Sequence, residues 1–327
     1  MSTKIEQLGG MLEKVFIQLP SNNKGGKPLT YSHSSFVVFF IVVLYKRIFA
    51  FKAMTKYAKI HYATFGFKSA PDRRTIRRRF VDLPKLLMFA IPHLAKHSLK
   101  YAYSTFHFRF AFVDKSVFRS LGGIWHKKHM LLGIVPHKSI DTAASWAKSA
   151  YHNWRFGYGL HIICNENRFP ISACVTTACV KDHSLLTQLL EHLHDYIGIL
   201  VGDRGYFAIR NLKAVYEKWG ILVQTPNIFE NFKNTARNWF KTTYNNFVRT
   251  TQAGHLYKKR KPSIEPVFSI IKELFDLQGN NQLPYKSLKY VQPFLLITVI
   301  MVQLLMIDNF LNKRDLACTE TFFTVFR

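Results

Sequence analysis

Through the first hundred residues the apolar positions recur at the period of a helix, and the breaks between them are polar and rich in glycine. The pattern predicts a helix over about residues 5–18, then a linker in the run Ser21-Asn22-Asn23-Lys24-Gly25-Gly26-Lys27-Pro28. Residues 36–51 read as one strongly apolar helix. Residues 53–62 read as a second, with Met54, Tyr57, Ala58 and His61 at helical spacing and Gly66 as its breaker. A third helix is expected from Asp72, where Pro71 suits the entry and Ile76, Phe80 and Leu83 form the apolar stripe. Short helix, glycine-containing turn and arginine-rich helix together read as helix-turn-helix-like, with Arg73, Arg74, Arg77 and Arg78 facing outward toward DNA phosphates or base edges. The plainer reading is a solvated basic face. Only Asp72 and Asp82 lie near enough in sequence to offset those charges, which favours the DNA contact.

After about Tyr101 the runs shorten and become rich in aromatic and β-branched residues. Residues 106–113 read as a strand ending at Asp114. Residues 158–165 and 168–176 read as a hairpin turning at Glu166-Asn167. A helix is expected over residues 182–196, with Asp182 at its N-cap, and a buried strand over 197–201 that ends in Gly202-Asp203. Residues 207–219 read as a helix, 221–225 as a strand, and 262–277 and 290–310 as two more helices. The organisation expected is a helical DNA-binding unit over residues 1–100 and an α/β unit over residues 101–327.

Composition then narrows the partner. The chain has 46 Lys and Arg against 19 Asp and Glu, a formal net charge of +27 over 327 residues, which favours a polyanion: DNA, RNA or an anionic membrane surface. A hydrophobic share of 48% is enough for a sizeable core and argues against disorder. None of Cys164, Cys174, Cys179 and Cys318 forms a CxxC pair, so zinc is not indicated and reduced thiols in the cytoplasm are expected. The N-terminus carries no signal-peptide core. The apolar runs 36–45 and 293–307 fall short of the ~20 residues of a membrane span and read as buried helices, so no membrane partner is expected.

In so basic a chain three acids stand out: Asp114 in Phe-Val-Asp-Lys-Ser, Asp203 in Val-Gly-Asp-Arg-Gly-Tyr, and Glu265 near the start of an amphipathic helix. Two strand-end aspartates and a helix glutamate can converge on a pair of divalent ions about 3.5–4 Å apart, an arrangement suited to phosphodiester chemistry. Gly202 and Gly205 flank Asp203 and allow close approach of a phosphate. Lys272 lies two helical turns from Glu265, so both share one face, the lysine placed to hold a phosphate beside the metal. Taken alone, Glu265 is better read as a surface glutamate; in the company of Asp114, Asp203 and Lys272 it reads as functional. Asp182 and His183 are lesser candidates for a place near the metals, but a helix cap is the simpler role for Asp182.

On these residues the chain resembles the DDE transposases of bacterial insertion sequences, most of all the insertion-sequence-four-like group with its Tyr–Arg–Glu–Lys signature. The matching words are those around Asp114 and Asp203, Gly157-Tyr-Gly-Leu-His161, and Tyr257 through Arg260 and Glu265 to Lys272. The resemblance implies an α/β, ribonuclease-H-like catalytic domain behind an all-helical N-terminal domain. It implies two Mg2+ (or Mn2+) ions on Asp114, Asp203 and Glu265, cleavage at transposon ends, and strand transfer into target DNA by a homo-oligomer bound to double-stranded DNA. It further implies that Tyr257, Arg260 and Lys272 contact DNA, with Arg204 beside Asp203 as a further candidate. The signature has three residues between its arginine and glutamate where this chain has four between Arg260 and Glu265, so Lys261 shares the claim to the basic role. Pro262 disfavours helix at Lys261, which puts Arg260 and Lys261 in a loop of undetermined direction. The interval between Asp203 and Glu265 is too short for the large β-rich insertion that some relatives carry. The rival readings are a metal-dependent nuclease of the same fold without strand transfer, and a basic DNA-binding protein without chemistry.

Overall fold

Among the described residues six strands build one mixed sheet, and four helices precede it. The computed structural model describes residues 2–18, 30–102, 108–149, 153–225, 252–275, 277 and 282–319. Among them are helices α1 (Ser2–Phe16), α2 (His33–Tyr45), α3 (Phe51–His61) and α4 (Arg73–Ala102), strand β1 (Phe108–Arg119), helix α5 (Lys127–Leu131), and strands β2 (Ser145–Ser149), β3 (Asn153–Asn165) and β4 (Pro170–Thr177). Helix α6 (Leu186–Leu190), strand β5 (Ile197–Val201), helix α7 (Ile209–Trp219), strand β6 (Leu222–Gln224) and helices α8 (Gln252–Leu274) and α9 (Leu288–Leu311) follow. The expected linker at residues 21–28 lies outside the described residues.

The strand order is β4-β3-β1-β5-β6, with β2 pairing the first part of β3. β3 runs antiparallel to β1, β2 and β4, whereas β5 is parallel to β1 and β6 to β5. A mixed sheet of this kind with flanking helices fits the ribonuclease-H-like α/β fold. Sheet and N-terminal helices share their core: α4 and α9 pack on each other and on β4, and the buried cluster runs from Leu8 through Phe36–Leu44 and Ile76 to Met306. Helix α9 is long and apolar enough to cross a membrane by length and composition, but here it is apolar all round because it is buried inside the protein. The buried amide of Gln303 donates from Nε2 to Ile91 O of α4 at 2.9 Å and Pro170 O of β4 at 2.8 Å, tying three elements at their meeting point.

Several elements differ from the sequence expectation. Helix α2 stops at Tyr45 instead of running on to residue 51, because Arg47 adopts a left-handed backbone at φ 59°. The helix expected over 182–196 is a 3-10 turn (Asp182–Leu185) followed by the short α6, and Asp182 does not cap it. Strand β1 runs on through Asp114 to Arg119, so Asp114 is a mid-strand residue and not a strand end. Helix α8 begins ten residues early and carries Arg260 and Lys261 within it, although Pro262 and Pro266 each remove a backbone hydrogen bond. Burial of Ile264, Val267, Ile271 and Leu274 against the sheet overrides that local cost.

The helix-turn-helix geometry is not confirmed. A 3-10 turn (Tyr62–Phe65) and the irregular segment 66–72 separate α3 from α4, where the motif has a turn of about 3–4 residues. Most of α4 is committed to packing, but its first turns leave Arg73, Arg74, Arg77 and Arg78 exposed, as expected. Asp72 caps this end, its Oδ1 accepting from Thr75 N at 2.8 Å.

A buried carboxylate fixes the return from the sheet to α9. Asp141 accepts from the Tyr158 hydroxyl at 2.7 Å, from Ser287 N at 2.9 Å and from Ala143 N at 3.1 Å. Asp141→Ala strands three donors, among them the fully buried Tyr158 hydroxyl, and is expected to destabilise by about 2–4 kcal/mol. An unchanged urea midpoint would show that the network is dispensable.

Candidate active site

The register of the sheet brings the two aspartates together. Parallel pairing sets Phe112 of β1 opposite Val201 of β5, and two residues further along the chain from each stand Asp114 and Asp203. Beyond Phe112 the β5 side of β1 has no strand partner among the described residues, and Asp114 lies in that stretch. Phe112 and Val201 pack against Leu256 of α8, with Tyr257 beside them, which seats the helix over this corner of the sheet. One turn along α8, Arg260 Nη1 reaches Asp114 Oδ2 at 2.5 Å. Farther along, Glu265, Phe268, Ser269 and Lys272 reach the same cleft, of about 430 Å³, whose wall also includes Asp114, Asp203 and Arg260.

A second device places a fourth acid there. Lys115, next along β1, points to the other side of the strand and crosses β3 at Gly159, where a Cβ would lie 2.7 Å from its Cε. Its ammonium donates to Ala178 O at 2.8 Å, Val180 O at 3.2 Å and Asp182 Oδ1 at 2.9 Å. The lysine thus pins the segment after β4, and Asp182 with it, beside Asp203. A methyl group at Gly205 would sit 2.3 Å from Asp182 Oδ2 and 3.1 Å from Asp203 Oδ1, so the two carboxylates flank the same glycine. Gly205 N donates to Asp203 Oδ1 at 2.9 Å and fixes its orientation.

Burial dominates the electrostatics. It pushes the Asp114 carboxyl up to about 6; Arg260 draws it back down and Asp203 adds to the rise. Asp203 is also raised, first by burial and then by Asp182, again against Arg260. The Arg260 guanidinium therefore serves both aspartates as counterion, and its buried Nε finds no partner among the described residues. Lys272 is lowered by burial and by Arg155, with Glu265 acting in the opposite sense.

Beneath the cleft, His161 is bonded through Nδ1 to the Tyr206 hydroxyl at 3.0 Å, and burial holds its pKa down to about 3. The folded protein keeps this imidazole neutral while the unfolded chain takes up a proton below about 6.5. Stability should therefore fall with pH between those two values, by up to about 1.4 kcal/mol per pH unit from this group. His161→Gln should flatten that slope in urea melts at pH 6.5 to 4; an identical slope would contradict the assignment.

Hard carboxylate oxygens on partly buried, mutually repelling aspartates are the right donors for Mg2+ or Mn2+, and a cation would relieve both. They are not gathered into a closed ligand set: among the described residues no three His, Cys, Asp or Glu side chains are placed together to hold an ion. Arg260 occupies Asp114, and Glu265 is half exposed and pairs with Lys261 at 3.8 Å.

The remaining residues singled out in the sequence fall elsewhere. Tyr257 packs on the strands with Arg260 over its ring at 5.7 Å, and Lys261 and Arg204 are exposed outside the cleft wall. Arg73, Arg74, Arg77 and Arg78 lie at the start of α4 and do not line the cleft; Arg77 Nε donates to the Tyr290 hydroxyl at 2.7 Å. Lys115, Lys148 and Arg155 line it without having been singled out for the site, and Asp182, read from the sequence as a cap in preference to a site residue, lines it too. Strand alternation carried past Asp114 would have placed Lys115; the tie from Lys115 to Asp182 is long-range and has no local signal.

Residues 134–282 match the family described as the transposase DDE domain. That span holds Asp203 and Glu265 and leaves Asp114 outside. The match supports a DDE transposase; it does not reach the finer insertion-sequence group or the Tyr–Arg–Glu–Lys signature. No curated protein matches. Among solved structures, a synaptic complex of piggyBac transposase with hairpin DNA is similar over 94% of this chain and 73% of that one, at 9% identity and a TM-score of 0.41. The Mos1 strand transfer complex is similar over 78% and 81%, at 8% identity and a TM-score of 0.21. A Mos1 paired-end complex with Mn is similar over 91% and 86%, at 11% identity and a TM-score of 0.22. Likeness at these scores is too slight to carry the functional argument.

Proposed function

We propose that the chain is a DDE transposase that cuts DNA at the ends of a mobile element and joins the freed ends to target DNA. The observation that carries this reading is the equal register of Asp114 and Asp203 beside a helix that brings Glu265 and Lys272 to the same cleft. Asp114, Asp203 and Glu265 are the candidates to hold two Mg2+ or Mn2+ ions. When bound, the ions would polarise the scissile phosphate and stabilise the attacking and departing oxygens. Lys272, Arg155 and Lys148 offer positive charge to the phosphates on either side. Arg260, which pairs with Asp114 in the cleft wall, would be released toward a phosphate if a cation took its place on that carboxylate. Cleavage adds the oxygen of water to phosphorus and releases a 3′ hydroxyl. Strand transfer uses that hydroxyl as the nucleophile on a second phosphodiester, so one P–O bond forms as another breaks.

Arg73, Arg74, Arg77 and Arg78, with Arg204 and Lys261 nearer the cleft, are proposed to bind double-stranded DNA through its backbone, and the protein to act as a homo-oligomer on paired ends. The test uses duplexes taken from the DNA flanking its own coding sequence, incubated with a supercoiled plasmid and Mg2+. The expected result is nicked ends bearing 3′ hydroxyls and covalent end–plasmid joints. Nicks without joints would favour a nuclease of the same fold, and neither product, with duplex binding intact, would favour a DNA-binding protein without chemistry.

A further inference from the structure

Between β1 and β2 the chain makes a closed surface loop that the cleft does not use. Its two ends touch: Gly122 has φ 92°, and a Cβ there would lie 2.1 Å from Ser139 O. Compact loops closed in this way are frequently functional. The tip is apolar and held outside the core. Leu131 is 88% exposed, Leu132 61%, Ile134 51% and Val135 45%. These side chains have not merely failed to collapse, because their backbone is pinned. Trp125 Nε1 donates to Ile134 O at 2.8 Å, and Trp146 of β2 donates to Trp125 O at 2.8 Å. A contiguous exposed apolar ridge of this kind marks an interaction surface.

Charge identifies the partner. From residue 115 to residue 140 the sequence has no Asp or Glu, and Lys127, Lys128 and Lys138 flank the ridge. Lys127 lies over the exposed Trp154 ring at 3.2 Å. Trp154 faces Lys148 across the β2–β3 ladder, and Lys148 belongs to the cleft wall, so the loop stands beside the cleft mouth.

We propose that loop 122–139 docks on duplex DNA beside the cleft, with Lys127, Lys128 and Lys138 on phosphates and Leu131 and Leu132 wedged against a base step. Apolar wedges set among basic residues are a known way to unstack and kink a duplex. This rests on the reading of the cleft as a DNA-processing site, but it is tested by binding alone.

The experiment measures fluorescence anisotropy of the full chain on a flanking duplex over a series of KCl concentrations. Lys127→Ala/Lys128→Ala should reduce the slope of log affinity against log salt by about 2, since each phosphate contact contributes roughly 0.9. Leu131→Ser/Leu132→Ser should weaken binding about tenfold with the slope unchanged, and should lower the fluorescence of a 2-aminopurine placed at the contacted step. Both pairs are exposed, so the fold should be retained in thermal melts. Wild-type affinity and slope in both variants would overturn the proposal. So would a leucine variant that only breaks up a wild-type dimer in sedimentation while binding DNA as before, since the ridge would then face a second copy of this chain. Nicking by the wild type with unaltered loop variants removes the loop and leaves the cleft. The expected binding losses in a protein that never nicks leave the loop and remove the cleft.

Discussion

Asp203→Asn should lower DNA cleavage roughly a thousandfold, the equivalent of about 4 kcal/mol of transition-state stabilisation, while leaving duplex affinity close to wild type. The substitution keeps the size of the side chain and its bond from Gly205 N, so the turn after β5 should hold. What it removes is one negative charge from a pocket where Asp114 and Asp182 remain. In a chain of +27, loss of one carboxylate should not weaken attraction to phosphate. Gel-shift and cleavage assays on the same preparation make the comparison. Equal losses of binding and cleavage would mean that Asp203 serves the fold and not the chemistry.

The second large effect is expected at Arg260, and it is one of stability as well as rate. The Arg260–Asp114 pair is mostly buried, at 16% and 19% side-chain exposure. Removing one member of such a pair leaves a buried charge uncompensated and costs about 3–5 kcal/mol. Arg260→Ala should lose that much, and Asp114→Asn/Arg260→Ala should recover a good part of it, because neither charge is then left alone. Mn2+ at millimolar concentration should raise the melting temperature of Arg260→Ala more than that of the wild type, since the freed Asp114 is then open to a cation. If the double variant is no more stable than Arg260→Ala, and Mn2+ affects both proteins alike, Arg260 is not the counterion of the site.

Much of the site was legible in the chain because acids are rare in it. Asp114, Asp203 and Glu265 stood out against a basic background, and helical spacing alone tied Lys272 to Glu265. The order of strands and helices after residue 101 was also readable, since β5, α7 and β6 are short runs bounded by glycine or polar residues. The misreadings share one physical cause, local rules overridden by packing. Pro262 argued for a loop at Arg260, but the buried stripe from Ile264 to Leu274 carries the helix through it. Asp182 had the local look of a cap, yet its partner is Lys115, far away in sequence and across β3. β1 was ended at Asp114 because a charged residue in a strand looks like a boundary; pairing with β3 extends it to Arg119. β2 is five residues with a lysine and two serines, too short and polar to register as a strand without its ladder to β3. The arginines of α4 were correctly read as exposed, while the segment before them was too long for the tight turn assumed.

Asp114, Asp203 and Glu265 are proposed to act together on divalent ions. Its most direct test is to count bound Mn2+ by electron paramagnetic resonance on the protein–duplex complex, for the wild type and for Asp114→Asn, Asp203→Asn and Glu265→Gln. Two ions are expected on the wild type, with each variant losing affinity for at least one of them by about 10–100-fold or more. Three variants that take up Mn2+ as the wild type does would contradict the assignment of this cleft.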